Sequence, residues 1–281
     1  MRRAILPLLF ASAACTPVAN DAPVMSTDAP PAAASDGYDL QAQYAKLAVI
    51  EMAPDTSYLT AEERDVVNLL IQASGYMDEI YLRQRFAANP QVRQAISRSR
   101  RAERDLLLTM FDRYYGAWDD LDEFHPFWGT EPLPEGAGFY PTDLTREEFD
   151  AYLTAHPAQK DELLAPYTVV KREGDGLVAV PYSVEYREWL EPAAKLLEQA
   201  AQRTSNPSLK KFLTLRAASF LSDDYYESEM AWMDLADTPI EVAIGPYEVY
   251  TDRLYGTKTA FESFVTLRNP EESAALAKYK N

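Results

Sequence analysis

One cysteine and two histidines are all that 281 residues offer to thiol or imidazole chemistry. A single cysteine excludes an intramolecular disulfide framework and any thiolate metal cluster. Two histidines leave little room for an all-histidine zinc site. Basic side chains are also short, 27 against 44 acidic for a net charge of -17. That balance argues against nucleic acid as a partner, because phosphate neutralisation needs lysine and arginine. Ten glycines are about half the usual share of roughly 7%. Their scarcity disfavours Gly-rich phosphate loops and turn-dense sandwiches. What is there is ordinary globular material, 47% hydrophobic and 25% charged, long enough for one large domain or two small ones.

The lone cysteine has a telling address. Arg2 and Arg3 precede an uncharged apolar run from Ala4 to Ala14, and Ser12-Ala13-Ala14 places small residues just before Cys15. Residues 1–14 therefore read as a secretory signal, too short to span a bilayer. A cysteine directly after the small residues resembles the lipobox of bacterial lipoproteins, in which cleavage leaves that cysteine N-terminal and lipidated. Ser12 departs from the aliphatic residue usual at that position. Residues 15–40 are then expected to be a lipidated start and a tether, since Thr16 to Gly37 is rich in Ala, Pro, Ser and Asp and has no aromatic residue. The expected location is a bacterial membrane surface facing the periplasm or cell exterior, held by lipid.

From Tyr38 onward the pattern is mostly helical. Thr60 and Glu63 match a capping box ahead of Val66, Leu69, Leu70, Ala73, Met77 and Ile80 at helical spacing. Asn89-Pro90 predicts a helix start whose apolar face continues to about Tyr115. Residues 116–144 break the period with Trp118, Phe124, Phe127, Trp128, Phe139 and Tyr140 among acids, prolines and glycines, which predicts an ordered loop packed on the body. Thr145 and Glu148 cap a short helix, and another is expected at 157–164. The runs 167–172 and 177–182 around Glu173-Gly174-Asp175-Gly176 predict a β-hairpin. Helices follow at 184–203 and from Asn206-Pro207 to about Leu221. Short strands are expected at 240–250 and 261–268, and a last helix over 270–279. The class is α+β, helix-dominated, with a small antiparallel sheet.

Familiar catalytic arrangements are missing. Neither His125 nor His156 lies in a triad motif, and there is no G-x-S-x-G elbow or H-E-x-x-H helix. Asp119, Asp120, Asp122, Glu123 and His125 lack the alternating ligand spacing and turn glycine of a calcium loop, so a surface acidic loop is the better reading. The richer stretch is 222–268. There Asp223, Asp224, Glu227, Glu229, Asp234, Asp237, Glu241, Glu248 and Asp252 interleave with Tyr225, Tyr226, Trp232, Tyr247, Tyr250 and Tyr255. Acids among aromatics can build a cleft that takes an amine by charge and its side chain by apolar contact.

Within that stretch Trp232-Met233-Asp234, then Glu241-Val242-Ala243-Ile244-Gly245-Pro246-Tyr247-Glu248-Val249-Tyr250-Thr251-Asp252, then Gly256 and Phe261-Glu262-Ser263-Phe264-Val265, stand in one order. This order resembles the region before the zinc motif of dipeptidyl peptidase III, where a tryptophan–aspartate element is followed by E-x-Y-I-G-x-x-E-x-Y-x-D, a glycine and F-E-x-F-V. Gly138-Phe139-Tyr140-Pro141 and Thr145-Arg146-Glu147-Glu148-Phe149 also look like bacterial members of the group. The departures are Ala243 in place of tyrosine, Val249, and one extra residue before Gly256.

The resemblance implies a two-lobed zinc metallopeptidase that removes dipeptides from the N-termini of short peptides. Its zinc ligands come from H-E-x-x-x-H and a later glutamate motif downstream of the matched region. Residues 41–281 are therefore expected to be an N-terminal substrate-binding lobe, with no catalytic or metal-binding residue of its own. Zinc would belong to the full-length enzyme, and the missing C-terminal zinc lobe would be a partner. Carried over by position, Glu241 is the first choice to hold the substrate's ammonium and Glu248 the second. Tyr250 and Asp252 continue the match among the substrate-binding candidates, and support of the strand and its turn suits them better. The alternative is a non-catalytic lipoprotein that binds peptides or a protein.

Overall fold

A computed structural model describes residues 37–276 and Tyr279, so the expected signal segment, Cys15 and most of the expected tether lie outside the described residues. After a short helix α1 (Leu40–Tyr44) comes the organising element, α2 (Ala61–Arg85). Its start is the capping box expected from sequence: Thr60 Oγ1 accepts from Glu63 N, and the Glu63 carboxylate accepts from Thr60 N at 2.7 Å. Val66, Leu70, Ala73, Met77 and Ile80 form its buried stripe.

The helix expected over 89–115 is instead two, α3 (Asn89–Arg98) and α4 (Arg104–Tyr114). Ser99 turns extended and its Oγ accepts from Arg101 N at 3.2 Å. The charged run Arg98-Ser99-Arg100-Arg101 has no apolar side chain to hold a continuous helix against the core, so the local serine turn wins. The loop that follows carries a minimal ladder, β1 (Trp118–Asp119) with β2 (His125–Pro126), and buries Trp118 and Phe127. With Phe86, Ile96, Met110 and Phe111 these side chains form a second, smaller core.

Further along, α5 (Arg146–Ala155) is capped by Thr145 as expected, and a 3-10 turn (Pro157–Gln159) leads into α6 (Lys160–Leu164). The hairpin β3 (Thr168–Glu173) and β4 (Gly176–Pro181) turns at Gly174, whose φ of +57° suits glycine. A single turn α7 (Tyr182–Glu185) precedes α8 (Arg187–Arg203), then α9 (Pro207–Ser222) and α10 (Tyr226–Met233). The last hairpin pairs β5 (Ile240–Glu248) with β6 (Ala260–Leu267), and α11 (Pro270–Leu276) follows.

The strands form three separate two-stranded antiparallel sheets. The main core is the space between α2, α8, α9 and the β5–β6 hairpin, filled by Leu190, Leu197, Phe212, Phe220, Val242, Ile244 and Phe261. An isolated hairpin is marginal in water; this one is held because Ile240, Val242 and Ile244 all point into that core. The fold is α+β and dominated by helix, as the residue pattern implies.

Candidate functional site

Alternation along β5 sorts its side chains. Ile240, Val242 and Ile244 are fully buried, whereas Glu241 faces solvent and Ala243 is half-buried. Opposite them on β6, Thr266 pairs with Glu241, Phe264 with Ala243 and Glu262 with Gly245. The outward face of the hairpin is thus a small platform of Glu241, Ala243, Glu262, Phe264 and Thr266, with Phe264 58% exposed. Thr266 Oγ1 bonds the backbone carbonyl of Glu241 at 3.1 Å and leaves that side chain to solvent.

The glycine in the motif has a physical cause. Gly245 has φ of +152°, and a Cβ there would stand 2.5 Å from Arg216 Nη1. Arg216 is wholly buried on α9, and its guanidinium donates to Ile244 O at 2.5 Å, Ser228 Oγ at 3.0 Å, Glu229 Oε1 at 2.6 Å and the Tyr247 hydroxyl. A buried charge is tolerable only when paired and hydrogen-bonded, as this one is. The network ties α9 and α10 to β5 and so sets the pose of the outward platform.

Just beyond, the ladder is interrupted. Pro246 pairs with Phe261 but Glu248 pairs with Ala260, leaving Tyr247 as an extra residue. Such a bulge re-aims the side chains that follow it. An unbroken ladder would set Glu248 opposite Thr259, on the core side; the extra residue puts it on the face of Glu262 instead. The two carboxyl groups meet there, and burial together with the Glu248 charge pushes Glu262 up to about 7. Tyr250, 73% exposed, is pushed up to about 12, first by its hydrogen bond to Glu248. Glu248 Oε2 is shut off from solvent, and no donor among the described residues reaches it.

Asp252 belongs to a different set. It is buried, and its carboxylate accepts from Leu254 N, Tyr255 N, Thr257 N and Lys258 N at 2.9–3.1 Å and from the Tyr140 hydroxyl at 3.0 Å. With five donors on it, Asp252 builds the turn between β5 and β6. Lys258, buried beside it, donates to Leu163 O, Ala165 O and Thr168 Oγ1 at 2.6–2.8 Å and clips the turn to β3.

The structure therefore brings Glu248 and Tyr250 together and sets Glu241 apart, seven residues up the strand from Glu248 and roughly 20 Å away at the usual strand rise. Two partners were missed by sequence reading. Glu262 was legible only as part of a matched motif, since pairing across a bulge leaves no local signal. Arg216 sat unremarked on a helix, though a lone arginine amid Phe212, Leu213, Ala217 and Phe220 is a sign of a buried cation.

The acidic loop is structural. Asp119 is buried and accepts from the Tyr38 hydroxyl and Leu121 N, both at 2.9 Å. Asp120 pairs with Arg85, and burial raises its carboxyl. His125 stacks on Tyr38 at 4.4 Å between ring centres and His156 on Tyr152 at 4.0 Å. Among the described residues no three His, Cys, Asp or Glu side chains converge to hold a metal ion.

Comparison with known proteins follows the same geography. Residues 144–281, which contain both larger hairpins and the whole platform, match the family model described as Peptidase family M49. Two solved structures share the fold over 85% of this chain. Dipeptidyl peptidase III from Caldithrix abyssi is 46% identical with a TM-score of 0.82, and dipeptidyl-peptidase III from Corallococcus sp. strain EGB is 39% identical with a TM-score of 0.80. A curated Arabidopsis thaliana protein named Nudix hydrolase 3 is 29% identical over 84% of this chain. The chain is similar to dipeptidyl peptidase III over most of its length, in keeping with its motifs. It spans 46% and 45% of the two solved chains and 37% of the Arabidopsis protein.

Proposed function

We propose that this chain is the N-terminal, substrate-binding part of a dipeptidyl peptidase III-like metallopeptidase that receives short peptides by their free N-termini for release of dipeptides. The observation that carries the reading is the match of fold and sequence to solved dipeptidyl peptidase III chains over most of this chain. The outward platform of β5–β6 supports it: Glu241 offers a solvent-facing carboxylate to an ammonium, while Ala243 and Phe264 offer apolar contact to a neighbouring side chain. Holding the ammonium at a set distance from the scissile bond is what would count off two residues.

Zinc enters through the full-length family. The donor set of the described residues does not make its site, since no cluster of potential ligands forms and each histidine is stacked on a tyrosine. Hydrolysis is therefore assigned to a C-terminal zinc lobe, the partner that this reading requires. When bound, zinc would supply a polarised water in that lobe. The chain's own residues bind and orient the peptide. Export and lipid anchoring at Cys15 complete the proposal and place the domain at a bacterial membrane, facing the periplasm or exterior. Incorporation of a palmitate analogue tests this; a Cys15→Ser protein that stays equally membrane-bound rejects it.

The test of the peptide role is Glu241→Gln, measured with Ala-Ala-Ala and its N-acetylated form. Loss of one charged hydrogen bond should weaken the free tripeptide by about 1.5–3 kcal/mol and leave the acetylated one unchanged. An unaltered affinity for the free tripeptide removes Glu241 from the site.

A further inference from the structure

We infer that the arginine corner where α3 meets α4 is a membrane-contact surface that rests on anionic phospholipid headgroups. The inference rests on the lipid-anchored reading of the chain and concerns how the domain stands on the bilayer. Charge is the first observation. Residues 89–115 carry six arginines against three acids, in a chain of net charge -17. Two of those acids are already taken, Asp112 by Arg93 and Asp105 by Arg104. Arg98, Arg100 and Arg101 follow one another across the Ser99 turn, and none has a carboxylate partner among the described residues. Arg98 and Arg100 are exposed, while Arg101 lies over the Trp128 ring at 5.4 Å, which steadies the corner. Three unpaired guanidiniums within four residues repel one another, so an anion placed against them lowers the energy of the turn. Their planar forks suit phosphate oxygens.

The second observation is where the chain enters the body. The Tyr38 hydroxyl donates to Asp119 at 2.9 Å, α1 packs on α4, and Leu40, Tyr44 and Leu47 lie on the second core with Ile96 and Leu107. The 36 residues before Gly37, Cys15 among them, therefore join the body at the core that carries the arginines. The peptide platform belongs instead to the hairpin on the main core. Thirdly, Val49, Ile50 and Met52 are 68%, 74% and 86% exposed, and two residues of chain keep Val49 within about 7 Å of Leu47. Apolar side chains and arginines on one small core suit the boundary between headgroups and acyl chains. The apolar run is what favours a lipid surface over an acidic polymer. Net charge does not oppose this contact. Charges more than about 8 Å apart are largely screened at physiological salt, so headgroups meet the local arginines and not the distant acids. The acidic remainder is repelled, which turns the corner toward the membrane and leaves the platform to solvent.

Vesicle co-sedimentation of the unacylated 281-residue chain reads this surface without help from an anchor, and residues 1–14, present in every variant, cancel in the comparison. The probes are phosphatidylcholine vesicles with and without about 30% phosphatidylglycerol, at low and high salt. The expected result is tighter binding to the anionic vesicles, lost as salt rises. Each arginine near such a surface is worth about fivefold, so changing Arg98, Arg100 and Arg101 together to Gln should weaken that binding roughly tenfold or more. Lys160→Gln, Lys195→Gln and Lys210→Gln remove the same charge from exposed positions elsewhere and should weaken it less than about twofold. Ile50→Asp with Met52→Asp should weaken it severalfold. Equal losses in the arginine and lysine variants would mean that net charge alone acts, and the corner would be wrong. Unchanged binding with Asp at residues 50 and 52 overturns the lipid contact of that run. If the arginines hold polyglutamate while the vesicles go unbound, the occupant is an acidic polypeptide and the inference falls. Palmitate labelling of Cys15 is read separately: a chain that binds through its arginines but takes no label keeps the surface and loses the anchor.

Discussion

Glu248 and Asp252 lie four residues apart in one acidic, tyrosine-rich stretch, and the folded chain gives them opposite work. Asp252 is buried under five donors and shapes a turn. Glu248, swung outward by a single extra residue, meets a second carboxyl and keeps an enclosed oxygen with no donor among the described residues. The same contrast separates Glu229, paired with the buried guanidinium of Arg216, from Glu241, which faces solvent. Acids whose acceptors are filled by the protein hold the backbone in place. Those whose acceptors are left open are the ones able to greet a ligand.

The sharpest way to break this division is to attack the inner set. Arg216→Met removes donors from Ile244 O, Ser228, Glu229 and Tyr247 and should cost about 3–5 kcal/mol, the range for disrupting a buried ion network. Urea unfolding measures it. Next comes Asp252→Asn, which turns an amide donor toward backbone N–H groups and should cost about 2–3 kcal/mol in the same assay. If Asp252→Asn instead weakened tripeptide binding at full stability, the sorting of acids would be wrong.

Changes to the outer set should do the reverse. Glu241→Gln should alter thermal unfolding by no more than about 0.5 kcal/mol while weakening the free tripeptide as stated above. Thr60→Ala, far from either set, should cost about 1 kcal/mol through the lost cap of α2, which provides a scale for a purely local loss. The last effect is a pH dependence. Glu262 is raised in the folded chain by burial and by Glu248, so the folded chain holds that proton more tightly than the unfolded one. Its stabilising share is complete below about pH 4.3, the ordinary glutamate value, and is lost as pH rises through about 7. Glu262→Gln mimics the protonated form, so it should stabilise at pH 8 by about 1 kcal/mol after solvent screening and do little at pH 4. Thermal melts at the two pH values check the sign.

Much of the architecture was legible in the residues because the signals are local. The Thr60–Glu63 box, the Asn206-Pro207 start and the Gly174-Asp175 turn act within a few residues of chain, and each element begins or turns where they stand. The single helix expected over 89–115 failed for a reason of the same kind: the serine turn at Ser99 competes where no apolar side chain anchors the helix. Of the candidate site, the sequence named Glu241, Glu248, Tyr250 and Asp252 but ranked them only by resemblance.

By itself, then, the sequence determined the helical and hairpin elements, the two-residue alternation that turns Glu241 outward, and the likeness to dipeptidyl peptidase III. Those properties depend on spacing and on neighbours along the chain. Only the tertiary structure decided that Asp252 is buried under five donors, that Gly245 is empty to admit Arg216, and that a bulge at Tyr247 sets Glu248 on the face of Glu262. Each of these depends on what stands across the sheet or one helix away, and one inserted residue in a strand reverses every later side chain.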